Sequence, residues 1–117
     1  MALQRRLRAP DGCPWDREQT HQTLRKYLIE ETYEVLDAMD SGDARKFSSE
    51  LGDLLLQVVF HSVLAEEAGE FTVADVIESV HTKMVSRHPH VFGNARAKNS
   101  AEIGRASCRV TFYIWVV

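Results

Sequence analysis

Cysteine and long apolar runs are scarce in this sequence, and each scarcity excludes a class of protein. Only Cys13 and Cys108 are cysteines among 117 residues, so there is no disulfide framework, and reduced thiols in a cytoplasmic protein are the simpler interpretation. No apolar run approaches the roughly 20 residues that span a bilayer, and the N-terminus lacks the apolar segment of a signal peptide. We therefore expect a cytoplasmic protein without a membrane partner.

An excess of basic charge is also lacking. The chain has 14 Lys and Arg residues against 17 Asp and Glu residues, a formal net charge of −3, which gives no general electrostatic case for binding a nucleic-acid polymer. A protein of this charge that binds polyphosphate needs cations as intermediaries. The hydrophobic fraction of 44% and the charged fraction of 26% are typical of a globular domain. The length fits one domain small enough to pair with a second copy.

Helical periodicity is what the sequence has in abundance. Apolar residues recur at helical spacing through three long segments joined by short connections. No strand pattern precedes residue 109, and there is no internal repeat. These features predict an all-α fold, a helical bundle completed by dimerisation. The predicted helices are residues 1–8, Thr23–Asp40, Ala44–Ala68 and Val73–Arg87.

Turn and cap residues set the ends of these helices. Asp16 follows a Gly-Cys-Pro-Trp turn and is suited to N-cap the next turn of helix. Asp43 is a predicted N-cap for the second long helix, Gly69 lies just past its end, and Thr72 caps the third. The His88-Pro89-His90 segment predicts a stop, because proline restrains the residue before it.

The last fifteen residues break the helical pattern. They end in a short apolar run of β-prone residues, 110–117, which is an aggregation hazard when exposed. One interpretation is a native C-terminal segment that docks on the bundle. The other, which we favour, is a non-native end left by a vector or a frame shift. The domain is therefore assigned to residues 1–102, with 103–117 as an atypical tail.

Carboxylates on the first two long helices are the candidates for chemistry. Glu31 and Glu34 are three residues apart on the first helix, as are Glu50 and Asp53 on the second, so each pair lies on one helix face. Two antiparallel helices joined by a short loop could bring both pairs together. Four carboxylates in one place repel each other unless a cation neutralises them. Such oxygen ligands suit Mg²⁺ or Mn²⁺ rather than Zn²⁺.

A pair of solvated acidic faces is the bland alternative, and helical-wheel positions bear on it. With Leu28 at zero and about 100° per residue, Glu31 falls beside the apolar stripe of Leu24, Leu28, Val35 and Met39, whereas Asp37 points directly away. The second helix is apolar around most of its circumference, which predicts burial almost all round. Its polar residues form a narrow stripe that is either its only solvent window or a functional seam. On geometry alone the two interpretations are about even. The stripe contains Glu50, Asp53, Gln57 and His61.

Three other residues are weaker candidates for substrate binding. Lys83 and Arg87, four apart on the third helix, could hold phosphates, although a basic last turn also complements the helix dipole. Trp15 could stack on a nucleobase, although an aromatic beside a turn more often plugs the core. The histidines show no convincing zinc spacing.

The acidic motif and its flanks resemble a known family. Glu30-Glu31-Thr32-Tyr33-Glu34 followed by Glu50-Leu51-Gly52-Asp53 looks like the E-E-x-x-E…E-x-x-D signature of the all-α nucleotide pyrophosphohydrolases. The flanking segments 12–16, 50–60 and 87–93 are more distinctive, and together they closely resemble the N-terminal domain of the MazG family. The similarity covers residue 3 to about residue 102.

The resemblance implies a function and a set of roles. It implies a dimer in which Glu31, Glu34, Glu50 and Asp53 bind Mg²⁺, and hydrolysis of nucleoside triphosphates to the monophosphate and pyrophosphate. Glu30 is then a candidate to accept a proton from the attacking water or to orient it. Lys83 and Arg87 would stabilise charge on the phosphates, and Trp15 would line a base pocket.

Two departures from the family pattern support an alternative. Family members normally continue past the His-Pro-His-Val-Phe-Gly segment with a helix carrying Trp and Lys, which the tail replaces here. Relatives also often carry two such domains. The alternative is a catalytically weak module for dimerisation or nucleotide sensing within a larger two-domain protein.

Overall fold

The protein is all-α in the part of the chain that the structure describes. The computed structural model describes residues 1–93 and Asn99, so the predicted tail at 103–117 lies outside the described residues. Within them there are helices and no strands, which confirms the predicted fold class. The helices are α1 (Ala2–Leu7), α2 (Pro14–Glu18), α3 (His21–Ser41), α4 (Ala44–Glu67), α5 (Val73–Ser86) and α6 (Pro89–Phe92).

Helices α3 and α4 are separated by a two-residue turn with strong capping at both ends. Gly42 ends α3 in the left-handed region at φ 71°, which glycine adopts without steric cost. Asp43 then caps α4, accepting hydrogen bonds from the backbone N–H groups of Arg45 and Lys46 at 3.0 and 3.2 Å. The predicted cap at Asp43 is confirmed. A turn this short makes the two long helices antiparallel neighbours.

The start of α3 differs from the prediction by two residues. Thr20 is the N-cap, and it exchanges hydrogen bonds with Thr23 in a capping box, so the helix begins at His21 rather than Thr23. Asp16 is not an N-cap, because Pro14 starts α2 and Cys13 occupies the cap position. Its carboxylate instead accepts a hydrogen bond from the buried side chain of Gln4 at 3.1 Å.

The later helix boundaries follow the predictions closely. Gly69 lies just past α4 at φ 71°, as expected for a residue that ends a helix. Helix α5 begins directly after Thr72 and ends at Ser86, one residue short of the predicted Arg87. The stop at the His-Pro-His segment is confirmed. A single further turn, α6, begins at Pro89, a favoured first position for proline.

The core lies between α3 and α4. Leu24 of α3 packs with Phe60 and Leu64 of α4 in one buried cluster, which Tyr27 borders. Helix α1 packs against α4, and its Arg5 makes a bidentate ion pair with Glu66 at 2.8 and 2.9 Å. These contacts hold the first 73 residues together as one compact unit, and the described residues from Ala74 onward belong to a second.

Glycine is required in the turn that follows α1. A Cβ on Gly12 would lie 2.2 Å from the carbonyl oxygen of Leu7, because the chain folds back there and the Cys13 N–H donates to that same oxygen at 2.7 Å. The turn places α2, and with it Trp15, against α3.

Helix α4 is not buried almost all round, and this corrects the prediction from its composition. Large apolar side chains in its first two thirds are exposed in the single chain, although the wheel of α4 is mostly apolar. Two members of the predicted stripe on α3, Leu28 and Met39, are likewise exposed, at 38% and 51%. The residues that the structure describes do not supply enough apolar partners to cover two long helices. The exposed large apolar side chains of α4 are Leu51, Leu55, Leu56 and Val58.

Candidate metal centre

Three predicted ligands meet between α3 and α4. Glu31, Glu50 and Asp53 each offer a carboxylate oxygen, and these three oxygens all lie within 4.8 Å of one another. Glu31 and Glu50 are half-buried and Asp53 is exposed. The short turn at Gly42 and Asp43 brings the two acidic motifs level with each other, although they are about twenty residues apart in sequence. We refer to Glu31, Glu50 and Asp53 as the carboxylate cluster.

The electrostatics of the cluster are unfavourable without a counter-ion. Burial raises the pKa of Glu31 above its ordinary value, and the charges of Asp53 and Glu50 raise it further, followed by those of Glu34 and Glu30. Like charges held this close favour protonation of one group or binding of a cation. The donors are all hard carboxylate oxygens, which fit Mg²⁺ or Mn²⁺.

The other two predicted acids lie outside the cluster. Glu34 and Glu30 are on the same helix as Glu31, are exposed, and act on it through their charge. Glu34 lies about one turn beyond Glu31, and its assignment as the fourth ligand remains a prediction. The role of Glu30 in handling a proton also remains a prediction.

Trp15 lies at the N-terminal end of α3, beside an open groove. Its ring makes edge-to-face contacts with Tyr27 and Phe60, at centroid distances of 5.7 and 6.4 Å, so part of it does plug the core as the bland interpretation expected. Even so, the residue is 48% exposed, and it lines a groove of about 510 Å³. An indole held by two ring edges and open to solvent can stack on a base. The other residues that line the groove are Gln19, Gln22, Thr23, Arg25, Lys26 and Tyr27.

Lys83 and Arg87 belong to the second unit of the chain, whereas the helices that carry the cluster belong to the first. Lys83 is exposed in the last turn of α5, and Arg87 follows that helix. Their action on phosphates remains a prediction.

A pair of histidines next to the core was missed by sequence reasoning. The Nδ1 atoms of His21 and His61 lie 2.7 Å apart, although the two residues are 40 positions apart in sequence. His61 was noted only as part of the polar stripe on α4. The same stripe holds Gln57, whose side chain is buried at 8% exposure. Polar residues on an otherwise apolar helix were the available signal.

A family model matches this chain over residues 19–92, and it describes a MazG nucleotide pyrophosphohydrolase domain. The chain belongs to the MazG family. The matched segment contains both acidic motifs and the whole of α3, α4 and α5. The expected family resemblance is thus confirmed by an independent comparison.

Bacterial relatives of known sequence agree with this membership. A nucleoside triphosphate pyrophosphohydrolase/pyrophosphatase MazG of Thermotoga maritima is 50% identical over 81% of the chain and 37% of its own length. A nucleoside triphosphate pyrophosphohydrolase of Escherichia coli is 48% identical over 88% of the chain and 40% of its length. An uncharacterised Bacillus subtilis protein, YabN, is 50% identical over 85% of the chain and 20% of its length. The chain therefore spans between a fifth and two fifths of these relatives.

Proposed function

We propose that this MazG domain hydrolyses nucleoside triphosphates to the nucleoside monophosphate and pyrophosphate, with Mg²⁺ as its cofactor and Mn²⁺ as a possible substitute. The observation that carries the proposal is the carboxylate cluster, three acids from two helices converging within 4.8 Å in a chain of the MazG family. The T. maritima and E. coli relatives are named for this activity.

The residues of the cluster suit that chemistry. Glu31, Glu50 and Asp53 would hold the metal, and Glu34, about one turn along α3, would complete the set. A divalent cation held there offsets phosphate charge and lowers the pKa of the attacking water. Glu30, exposed on the same helix, would accept the proton of that water or orient it as the anhydride between the α and β phosphates breaks.

Residues outside the cluster would position the nucleotide. Lys83 and Arg87 would stabilise phosphate charge, and Trp15 would stack on the base. Tyr27, at the rim of the Trp15 groove, and Glu31 are four residues apart on α3, about 6 Å along the axis, which fits a base and a polyphosphate on one ligand. The exposed apolar side chains of α4 support a homodimer, since a second copy would cover them.

No described helix combines the length and hydropathy of a membrane span. A cytoplasmic location remains a prediction.

Pyrophosphate release from a panel of nucleoside triphosphates, with Mg²⁺ and with EDTA, tests the proposal. We expect turnover that requires the metal and falls at least about a hundredfold in Glu34→Gln and in Asp53→Asn. Asp37→Asn is the matched control, because Asp37 lies on α3, points away from the apolar stripe of that helix and is not a member of the cluster. Metal-independent turnover, or equal activity of the three variants, would refute the proposed site.

The partial coverage of the relatives favours one second candidate. Because the chain matches only 20% to 40% of their lengths, this domain could serve as a dimerisation or nucleotide-sensing module while another part performs catalysis. The same panel decides between them. Metal-dependent nucleotide binding in a folded dimer, without release of pyrophosphate, would favour the module.

A further inference from the structure

The contact between His21 and His61 is an in-plane hydrogen bond. The ring planes are within 5° of parallel and the centroids are 5.0 Å apart, while the Nδ1 atoms are only 2.7 Å apart. Both nitrogens must then lie between the two centroids, close to the line that joins them. The rings therefore meet nitrogen to nitrogen in nearly one plane rather than face on face.

One proton must occupy this contact, because an N–H···N bond has one donor and one acceptor. The two neutral rings must then have opposite tautomers at Nδ1. Either His21 donates and His61 carries its remaining proton on Nε2, or His61 donates and its Nε2 is a bare acceptor. The pair cannot form with both rings in the same neutral tautomer.

Two buried atoms nearby distinguish these arrangements. Within the described residues, the Nε2 atom of His61 and the Oε1 atom of Gln57 are buried side-chain atoms without a hydrogen-bond partner. The two residues are four apart on α4, so their side chains are neighbours on one helix face. With Gln57 oriented as in the structure, its oxygen buried, a bare Nε2 would leave two buried acceptors side by side, which is costly. A protonated Nε2 is a donor that the Gln57 oxygen can accept.

We propose that His21, His61 and Gln57 form a positioning chain for the carboxylate cluster. His21 donates from Nδ1 to Nδ1 of His61, and His61 donates from Nε2 to Oε1 of Gln57 after a small rotation of the glutamine side chain. With its oxygen committed to His61, the glutamine directs its NH₂ group away from the histidines. Gln57 follows Asp53 by one turn on the polar stripe of α4, so that group is directed along the stripe toward the cluster. This step rests on the proposed function.

The surroundings of the pair are consistent with a neutral His61. Burial lowers the pKa of His61, and the neighbouring His21 lowers it further. His21 is exposed and borders a hollow that also contains Arg8, Glu67 and Glu70. Arg8, the residue after α1, is paired there with Glu67 of α4 at 2.8 Å. The lowered pKa of His61 favours its neutral ring, the form in which the hydrogen bonds can fix its tautomer.

Long-range ¹H–¹⁵N correlation spectra of histidine-labelled protein at pH 7.5 test the hydrogen bonds directly. We expect His21 in the Nδ1–H form and His61 in the Nε2–H form. In His21→Gln, at an exposed position, the Nδ1 chemical shift of His61 should change because the imidazole that donates to it is gone, whereas His81→Gln should leave the His61 signals unchanged. His21 in the Nε2–H form, or a His61 spectrum unaffected by His21→Gln, would overturn the chain.

Binding of Mn²⁺ alone, followed by its paramagnetic effect on water relaxation, tests the positioning role. Gln57→Met keeps the length of the side chain but removes the amide, and we expect about tenfold weaker Mn²⁺ binding, as for other groups that orient metal ligands. Gln22→Met, at an exposed position on α3, is the control. Unchanged binding in a folded Gln57→Met protein would overturn the positioning role. Absence of Mn²⁺ binding in the parent chain would count instead against the proposed function, and the tautomers would still be readable.

Discussion

Two parts of the interface between α3 and α4, which we call the seam, are stabilised in opposite ways. At the end near the start of α3, Leu24, Phe60 and Leu64 are buried against each other, and the contact is complete within one chain. Toward the middle, Glu31 faces Glu50 and Asp53, and the contact is repulsive. One seam thus combines an apolar end that stabilises the fold with an acidic middle that lowers stability until a cation binds.

The comparison explains why the fold tolerates the acidic middle of the seam. Burial of apolar surface is the dominant favourable term in folding. The capped turn between Ser41 and Ala44 also holds the helices antiparallel, independently of the repulsion between the carboxylates. The apolar end therefore sets the register that brings the acids together. Functional sites commonly carry such local cost, offset elsewhere in the fold.

Truncation at the apolar end should give the largest loss of stability. Phe60→Ala removes a ring that is 3% exposed and contacts Trp15, and we expect a loss of about 3–5 kcal/mol in the free energy of unfolding. Urea denaturation followed by circular dichroism measures it. Phe71→Ala, at a site that is 40% exposed, is the control and should cost much less. Equal costs would contradict the assignment of the core.

Neutralisation of a carboxylate in the acidic middle of the seam should raise the free energy of unfolding rather than lower it. Glu31→Gln in EDTA at pH 7.5 should raise the free energy of unfolding, because the pKa of Glu31 is raised by burial and by its acidic neighbours. Solvent screening of these partly exposed charges limits the gain to at most about 1 kcal/mol. A carboxyl whose pKa is higher in the folded state stabilises the fold at low pH and loses that contribution as the pH rises through the folded value. The gain should therefore be absent near pH 4.

Mg²⁺ should reverse the order of stability, so that the parent becomes more stable than Glu31→Gln. The parent chain should gain stability with added Mg²⁺, whereas Glu31→Gln should gain little, because it has lost a ligand. Asp37→Asn, on the outer face of α3, should behave like the parent in EDTA and in Mg²⁺. A Glu31→Gln variant that is destabilised in EDTA would show that the cluster is not repulsive.

The caps that flank the seam should contribute less than the core. Asp43→Ala removes an acceptor for two backbone N–H groups at the start of α4, and we expect a loss of about 1 kcal/mol. Asp40→Ala, an exposed position in the last turn of α3 beside the same connection, is the matched control. If Asp43→Ala loses no more stability than Asp40→Ala in parallel thermal melts, the capping interaction does not contribute in solution.

The acidic middle of the seam was easier to predict from sequence than its apolar end. Acids spaced three apart on two adjacent helices, such as Glu50 and Asp53, are visible as a pattern, and a two-residue turn leaves few ways to arrange them. Exposure of Leu28 and Leu55 was not foreseen, because periodicity shows which face is apolar but not how much surface one chain can cover. The contact of His21 with His61 depends on the register between helices, which no local pattern specifies.

Acid should weaken the apolar end of the seam, and this is the smallest effect we predict. The pKa of His61 in the fold lies below its ordinary value of 6.5, so the unfolded chain binds that proton more tightly. Stability is then fully present above about pH 6.5 and is lost as the pH falls through the folded value. Urea unfolding at intervals from pH 7.5 to 5 should show this loss in the parent and in His81→Gln, and a smaller loss in His61→Gln. If the free energy of unfolding changes with pH in the same way in the parent and in His61→Gln, His61 is solvated in the fold. Water would then reach the apolar end of the seam more than its burial indicates.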